Sequence, residues 1–302
     1  MKIIRPFAVT DASLTSSVAE DASSAWNDGV SYAVGQVVHL VSSHRRYESL
    51  VGSNLNNNPA TDSGTNWLNL GPTNRWAMFD QLNGTATEAT DELSVTIVTT
   101  GRIDSVALLE IDATTATITA SYDAVELYSE TFNLADYSGM TDWYEYFFAE
   151  VDYQTDLVIT DLPIYAGMTI TITISGGSTV SLGNCVIGQS RVLGGTVYGA
   201  RVGIIDYSRK TVDDFGNITI VERAYSKRGS FDVVVSGESS DDAASKVDAI
   251  QKLLTTYRAT PLVFVGSDTF SSTSIFGFYK SFDLNIAFPT QHRLTLEIEG
   301  LT

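Results

Sequence analysis

Cysteine is nearly absent from this chain of 302 residues, in which Cys185 is the only one. A single cysteine cannot form a disulfide within the chain, and this excludes the small secreted folds that depend on disulfide cross-links. Cys185 lies in the apolar run of residues 182–188. This setting predicts a buried and unreactive thiol rather than a nucleophile.

Basic residues are also scarce, since 18 Lys and Arg stand against 36 Asp and Glu and the formal net charge is −18. Nucleic acids and anionic membranes bind basic faces, so this composition argues against both as partners. Residues 80–161 contain 17 acidic residues and one basic residue, whereas residues 191–228 contain seven basic and four acidic ones. Either ordinary surface variation or docking of the second segment on an acidic neighbour accounts for this difference.

Long apolar runs are missing as well. No stretch reaches the roughly 18 apolar residues of a transmembrane helix, and residues 1–6 lack the apolar core of a signal peptide. We therefore expect the protein to fold in the cytoplasm. Any function outside the cell then requires another route of release, such as assembly into a particle that is freed by lysis.

The stretch from Trp26 to Leu70 has the most informative pattern in the chain. Residues 32–38 predict a tight turn at Gly35 that leads into a short strand, and residues 46–50 predict its antiparallel partner. A module of roughly 45 residues is too small for a large aliphatic core, so aromatic side chains must supply the burial. Four are available for this core: Trp26, Tyr32, Tyr47 and Trp67.

With Asn57-Asn58-Pro59 and Asn66-Trp67-Leu68, this pattern resembles the small chitin- or cellulose-binding-type modules of bacterial glycosidases and phage tail proteins. The resemblance implies a carbohydrate-binding module at residues 25–72, with the same four aromatics as candidate binding residues. Members that bind polysaccharide often present further exposed aromatics after the position of Tyr47, but residues 49–55 contain none. The alternative is that the four aromatics form only a core and that the module is a spacer or docking unit.

Residues 73–190 predict a β-sandwich, most simply a jelly roll. Leu93, Val95 and Ile97 alternate with polar residues, and residues 170–174 alternate Ile with Thr. The opening residues 74–80 are similar to the first strand of galactose-binding-like jelly rolls. That resemblance implies either a sugar site at one edge of the sandwich or a purely structural role.

Residues 143–148 contain five aromatics in six positions. As a strand, this segment places alternate side chains on opposite faces and is typical of a central, covered strand. The alternative is an aromatic platform for a sugar ring, with Trp143, Tyr144 and Tyr146 as candidate binding residues.

Residues 191–302 predict an α+β domain with one helix on a mostly antiparallel sheet. A hairpin turns at Gly216, Ser239 caps the helix, and residues 247–257 place apolar side chains on one helix face. Residues 275–279 and 284–288 are expected to form a further hairpin arm. Residues 1–24 are polar and predict an extended N-terminal arm, so the chain as a whole is expected to be multi-domain and mainly β.

Four segments of this last part look like an uncharacterised family of tailed-bacteriophage virion proteins: residues 203–211, 224–228, 275–280 and 296–302. The β/α order is also similar to that of ring-forming hub and distal-tail proteins of phage baseplates. These resemblances imply a structural tail or baseplate protein that forms a homo-oligomeric ring and contacts other tail proteins. They place it in the virion, with host-surface polysaccharide as a further partner of the small module.

No residue pattern predicts catalysis, a metal or a cofactor. His39, His44 and His292 lack metal-ligand spacing and are interpreted as surface residues. Three acidic pairs are adjacent in sequence, whereas a glycosidase holds two carboxyls roughly 5–10 Å apart across a sugar: Asp91-Glu92, Asp213-Asp214 and Asp241-Asp242. Two alternatives stay open beside the preferred one, namely a polysaccharide-degrading tail enzyme and a purely structural tail protein.

Overall fold

Antiparallel β-sheet dominates the structure. The computed structural model describes residues 1–80, 84–137, 140–148, 151–212 and 215–301. Strands account for 53% of the protein and helices for 11%, which confirms the expectation of a mainly β protein.

The first part of the chain forms eight strands: β1 (Lys2–Pro6), β2 (Leu14–Ser16), β3 (Ser24–Ala25), β4 (Ser31–Tyr32), β5 (Val37–Leu40), β6 (Arg45–Ser49), β7 (Asn54–Leu55) and β8 (Trp67–Pro72). A 3-10 helix at Asn74–Phe79 follows, then β9 (Thr87–Val98), β10 (Arg102–Ile103), β11 (Ser105–Asp112), β12 (Thr115–Tyr122), β13 (Val125–Asn133), β14 (Ala135–Asp136), α1 (Trp143–Phe148), β15 (Asp152–Tyr153), β16 (Leu157–Ile159), β17 (Tyr165–Ala166) and β18 (Thr169–Val192). The remainder comprises β19 (Gly195–Thr196), β20 (Arg201–Asp206), β21 (Arg209–Val212), β22 (Ile218–Val221), β23 (Tyr225–Ser236), α2 (Ser240–Thr256), β24 (Leu262–Val265), a 3-10 helix at Ser271–Thr273, β25 (Ser274–Asn285) and β26 (Gln291–Gly300).

The N-terminal strand β1 is central to the largest sheet. It pairs antiparallel with β18 on one side and with β24 on the other. Ile3 and Ile4 are fully buried, and they belong to two different apolar clusters. Because neighbouring residues of a strand face opposite sides, two adjacent isoleucines suffice to bury this strand on both faces. The expectation of an extended arm over residues 1–24 is therefore wrong for β1.

Strand β18 joins the two halves of the large sheet. Its first part pairs with β9 and β12, and its second part pairs with β11 and β1. The register shifts between Ser175 and Thr179, where Gly176 has a φ of +99°. A Cβ atom at Gly176 would lie 1.6 Å from Thr114 Oγ1, so only glycine fits this bulge. The boundary expected near residue 190 thus falls inside a continuous strand.

Two large apolar cores lie along this sheet. The first contains the alternating residues of β9 and β18 predicted from the sequence, and Leu93, Val95 and Ile97 are all buried. Residues 74–80 are not the strand suggested by their resemblance. They form the 3-10 helix, in which Trp76, Ala77 and Met78 are buried.

The second core packs under α2. The predicted N-cap is confirmed, because Ser239 Oγ accepts a hydrogen bond from the backbone N–H of Asp242 over 3.2 Å. Val247, Ile250 and Leu254 are buried as expected. The hairpin arm expected over residues 275–288 is wrong, since β25 continues to Asn285 and its return strand is β26.

The segment from β3 to β8 forms a separate small module. Its sheet has the order β3-β5-β6-β8, and β4 pairs with β7. The predicted turn at Gly35, which has a φ of +79°, and the predicted antiparallel partner of β5 are both confirmed. His44 of this module stacks on Trp76 with ring centroids 4.1 Å apart and lies 2.9 Å from the Glu20 carboxylate. These contacts attach the module to the rest of the protein.

Candidate interaction surfaces

Three of the candidate sugar-binding aromatics form the core of the small module. Tyr32, Tyr47 and Trp67 are buried together with Val38. Trp67 is 2% exposed, and its indole N–H donates to Asn57 O over 2.8 Å. The Tyr32 hydroxyl accepts from the backbone N–H of Asn27 over 2.7 Å. The ring faces and the polar atoms of Tyr32 and Trp67 thus contact other groups of the module. These two residues stabilise the module and present no ring to a ligand.

Trp26 differs from these three aromatics. It is half-buried and packs against the module core, and its backbone N–H donates to His39 O over 2.8 Å. Its indole N–H has no hydrogen-bond partner among the described residues. Trp26 is therefore the one of the module's four candidates whose ring is not buried in the core, although its indole nitrogen is.

The remaining candidates, Trp143, Tyr144 and Tyr146, lie on α1. The expectation that residues 143–148 form a covered strand is wrong, because the segment is helical. Tyr146 N–H donates to Asp142 O over 3.1 Å, which is a helical hydrogen bond. Asp142 immediately precedes the helix, at a position where aspartate is favoured. A helix also satisfies part of its backbone locally, whereas a strand needs a neighbouring strand.

The aromatic rings of α1 face solvent and one another. Trp143 is 77% exposed, and Tyr144, Tyr146, Phe147 and Phe148 are also exposed. Trp143 contacts Tyr146 and Phe147 with centroid distances of 6.0 and 6.4 Å, and Tyr144 contacts Phe148 at 4.8 Å. These are the i,i+3 and i,i+4 neighbours of a helix surface. We call α1 and the flanking exposed residues Tyr137, Asp142, Asp152 and Tyr153 the aromatic patch.

A second exposed apolar surface lies on β21 and β22, which pair only with each other among the described residues. All eight residues of these two strands are exposed, so neither face packs on the rest of the chain. We call this pair the exposed hairpin. Tyr207 N–H donates to Ala224 O over 3.3 Å, and this bond links the hairpin to the paired strands β20 and β23.

The two faces of the exposed hairpin differ in character. The register pairs Lys210 with Ile220 and Val212 with Ile218. Directly opposed residues share a face, so these four form one largely apolar face, on which Ile220 is 72% exposed. The other face carries Arg209, Thr211, Thr219 and Val221. At the tip, Phe215 is 92% exposed.

A groove with a volume of about 550 Å³ lies where β11 approaches β23 and β25. An ion pair between Asp156 and Lys227 crosses it. Glu110 lines the same groove with a φ of +55°, and its backbone N–H lies 3.4 Å from Asp156 Oδ1. Partial burial raises the pKa of the Glu110 carboxyl, and the nearby Asp156 carboxylate adds to this effect. The groove holds one charge pair and one carboxyl with a raised pKa.

Two of the residues considered for catalysis, Cys185 and Asp242, have structural roles. Cys185 is buried as predicted, and burial raises the pKa of its thiol to about 12. Asp242 accepts from the Glu238 backbone N–H over 3.0 Å at the start of α2, and the hydrogen bond from Lys246 lowers the pKa of its carboxyl. Asp91 and Glu92 are both exposed on β9, and Asp213-Asp214 lies outside the described residues.

The expectation of three surface histidines is wrong for two of them. His39 and His292 are buried, and His39 Nδ1 lies 2.9 Å from Ser23 O. In the described parts of the chain, no group of three or more His, Cys, Asp or Glu residues is arranged to hold a metal ion. No helix in these parts has the length and apolar character needed to cross a membrane.

No family model matches this chain, and neither a curated protein nor a solved structure matches it. The assignment of a function therefore depends on the surfaces described above. Sequence reasoning located the exposed hairpin as a hairpin but did not single it out as a site. Its signal was the alternation of Ile218 and Ile220 with Thr219 in a short hairpin that also carries Arg209 and Lys210.

Proposed function

We propose that the protein is a non-enzymatic structural subunit of a bacteriophage tail or baseplate that assembles with copies of itself into a ring. The observation that carries this proposal is the exposed hairpin. Its apolar face, formed by Val212, Ile218 and Ile220, is in contact with solvent in the isolated chain. The assignment to a phage particle rests on the sequence resemblance of residues 203–211, 224–228, 275–280 and 296–302 to phage virion proteins.

The physical argument concerns the stability of a lone hairpin. A two-stranded hairpin is at best marginally stable in water, because it lacks a further sheet or helix against which to bury its apolar face. Contiguous exposed apolar surface on a soluble protein marks an interaction site. The exposed hairpin meets both conditions, so a partner surface that covers Ile218 and Ile220 would complete its folding.

In this proposal the chain has three working parts. Residues 25–72 are a small aromatic module and residues 73–190 a jelly-roll-like sandwich. Residues 191–302 are the α+β assembly part, to which β1 contributes a strand. Identical copies that contact one another through two different surfaces close into a ring when the rotation between copies allows it.

Adhesion to host-surface glycan is a second function for the same protein. Trp26 is the candidate residue for it, because its ring is only partly buried, whereas Tyr32, Tyr47 and Trp67 form the core of the module. A weak site of this kind would gain avidity from the copy number of a ring, since tethered sites act at a high effective concentration.

The assembly proposal is tested by analytical ultracentrifugation of the full chain over a range of concentrations. We expect the wild type to form oligomers and Ile220→Glu to weaken association by about 30-fold or more, as for loss of an interface hot spot. Thr219→Glu is the matched control, because it places the same charge on the opposite face of the same strand. A wild-type protein that stays monomeric at every concentration, and is absent from purified virions, would refute the proposal.

A further inference from the structure

We propose that the side chains of Lys227 and Asp156 condense into an amide bond, which forms once in each chain after it has folded. This is a modification site of the protein itself, and it goes beyond the proposed function because it requires neither a ring nor a glycan. The two residues are 71 positions apart in the sequence. The bond would join β23 to the segment before β16, across the groove between β11 and β23.

The first argument compares this pair with the other lysine ion pairs of the described residues. In those, the N–O distances are 2.9, 2.9 and 3.2 Å: Lys2–Asp268, Lys246–Asp242 and Lys280–Glu299. Lys227 and Asp156 lie in closer contact, and the side chain of Asp156 is 14% exposed, against 66%, 39% and 23% for the other three carboxylates. Water therefore stabilises the Asp156 charge least, and loss of solvation favours the neutral carboxyl that condensation needs.

The second argument is that paired strands hold both groups in place. Leu157, which follows Asp156, pairs with Leu108 of β11, and Ile111 N–H donates to Thr155 O over 2.8 Å. Strand β23, which carries Lys227, pairs with β20 on one side and with β26 on the other. Two groups fixed by backbone hydrogen bonds react as if they were highly concentrated, because little motion remains to be lost.

The third argument is a hydrogen-bond donor at the other carboxylate oxygen. Lys227 contacts Asp156 Oδ2, while the backbone N–H of Glu110 lies 3.4 Å from Oδ1. A Cβ atom at Gly183 would lie 2.7 Å from Glu110 Cβ, so glycine at position 183 permits this backbone path. A donor of this kind stabilises negative charge that develops on Oδ1 during attack, and such bonds shorten as the charge develops.

The reaction balances without a co-reactant. The Lys227 ammonium passes one proton to Asp156 Oδ2, which leaves a neutral amine beside a neutral carboxyl. The amine nitrogen Nζ attacks Cγ of Asp156, and the N–C bond forms while Oδ1 carries the negative charge. A second proton passes from Nζ to Oδ2, the Cγ–Oδ2 bond breaks, and one water molecule leaves. Oδ1 becomes the carbonyl oxygen of the amide, and one positive and one negative charge disappear.

Proximity supplies the driving force for this condensation. Water opposes amide formation between separate molecules, but well-oriented groups within one molecule reach effective concentrations of about 10⁵–10⁸ M. The groove is also partly shielded from water, since burial raises the pKa of the Glu110 carboxyl that lines it. Buried Leu109 and Ile111 line the same groove. Limited access of water slows hydrolysis of the bond once it has formed.

Intact-mass measurement of the full chain tests this proposal. The wild type is expected to be lighter than its sequence by one water molecule, and a protease digest should yield a branched peptide that joins residues 156 and 227. Lys227→Arg keeps the positive charge without the reactive amine, and Asp156→Ala removes the carboxyl, so both should have their full mass. Lys280→Arg, at another lysine ion pair, is the matched control and should lose one water as the wild type does.

A second readout is thermal stability, because a cross-link that closes a long loop restricts the unfolded chain. The melting temperature of Lys227→Arg should therefore lie below that of Lys280→Arg. A folded wild type with its full mass overturns the proposal, whatever the variants show. A loss of water that persists in Lys227→Arg also overturns it, because that loss then arises elsewhere in the chain. Neither result bears on assembly through the exposed hairpin, which sedimentation tests separately.

Discussion

The small module and the α1 helix use the same residue types in opposite ways. In the module, Tyr32 and Trp67 pack edge to face at 5.4 Å and are buried. In α1, the rings of Trp143 and Tyr144 are also in contact with other aromatics, yet both are exposed. The first group forms a core within one chain, whereas the second stays exposed. Aromatic content alone therefore does not distinguish a core from an interaction surface.

The difference arises from what the backbone around each group provides. The module has two small sheets, so strands β4 and β6 each place one face towards a shared interior. Helix α1 has no element packed over its rings among the described residues. Substitutions in the module are therefore expected to lower the free energy of unfolding, whereas substitutions of the exposed α1 rings should leave it nearly unchanged.

The largest expected effect is that of Trp67→Ala. Removal of a buried Trp side chain costs about 3–5 kcal/mol, which exceeds the stability that a module of this size can spare. We expect fast hydrogen exchange over residues 25–72, with protection retained in the large sheet. Trp143→Ala removes the same atoms from an exposed helix and should change the free energy of unfolding by no more than about 0.5 kcal/mol. Equal destabilisation by the two substitutions would contradict the comparison.

An intermediate effect is expected for Cys185→Ser, which places a hydroxyl in the core of the large sheet. Cys185 is buried in the first apolar cluster, and an unsatisfied hydroxyl there costs about 1–3 kcal/mol. Denaturant unfolding measures this loss. In the native wild type the thiol should also resist labelling by a thiol reagent and react only after unfolding. Rapid labelling of the folded protein would show that Cys185 is accessible.

The smallest effect is expected for Glu110→Gln, at a residue that is partly exposed. The raised pKa of the Glu110 carboxyl means that folding favours its protonated form relative to the unfolded chain. The stabilising effect of the protonated Glu110 carboxyl is fully present below the ordinary pKa of a glutamate. It is lost as the pH rises through the raised pKa of the folded protein. The variant should therefore be more stable than wild type at neutral pH, by roughly 0.5 kcal/mol or less because solvent screens the charge, and equal to it in acid. Glu126→Gln, at an exposed strand position, is the control. A Glu110→Gln variant that is less stable than wild type at neutral pH would contradict this prediction.

Sequence reasoning predicted those elements whose pattern arises from a single local cause. The alternation in β9 and the Ser239 cap of α2 were both found, because each depends on residues a few positions apart. It failed at α1, where aromatic residues suggest a strand by propensity but the neighbouring strands needed to pair with it are missing. It failed at β1, where two isoleucines in a polar segment become central only because β18 and β24 provide partners from far along the chain.

The candidate site was harder to predict than the fold. The sequence indicates a hairpin around Gly216 and an aromatic segment at residues 143–148. Whether another part of the chain covers the hairpin or the aromatic segment depends on the tertiary structure. The periodicity of the sequence does not report this coverage. The four aromatics of the module illustrate the converse, because their pattern suggested a ligand and three of them are buried.

Hydroxyl-radical footprinting of the assembled and the dissociated protein tests the central claim most directly, since oxidation reports the solvent exposure of individual side chains. The account predicts strong protection of Ile218 and Ile220 on assembly. Val34 and Val125, which are exposed on other surfaces, should be oxidised equally in both states. Assembly without protection of Ile218 and Ile220 would contradict the claim that the apolar face of the exposed hairpin lies between copies.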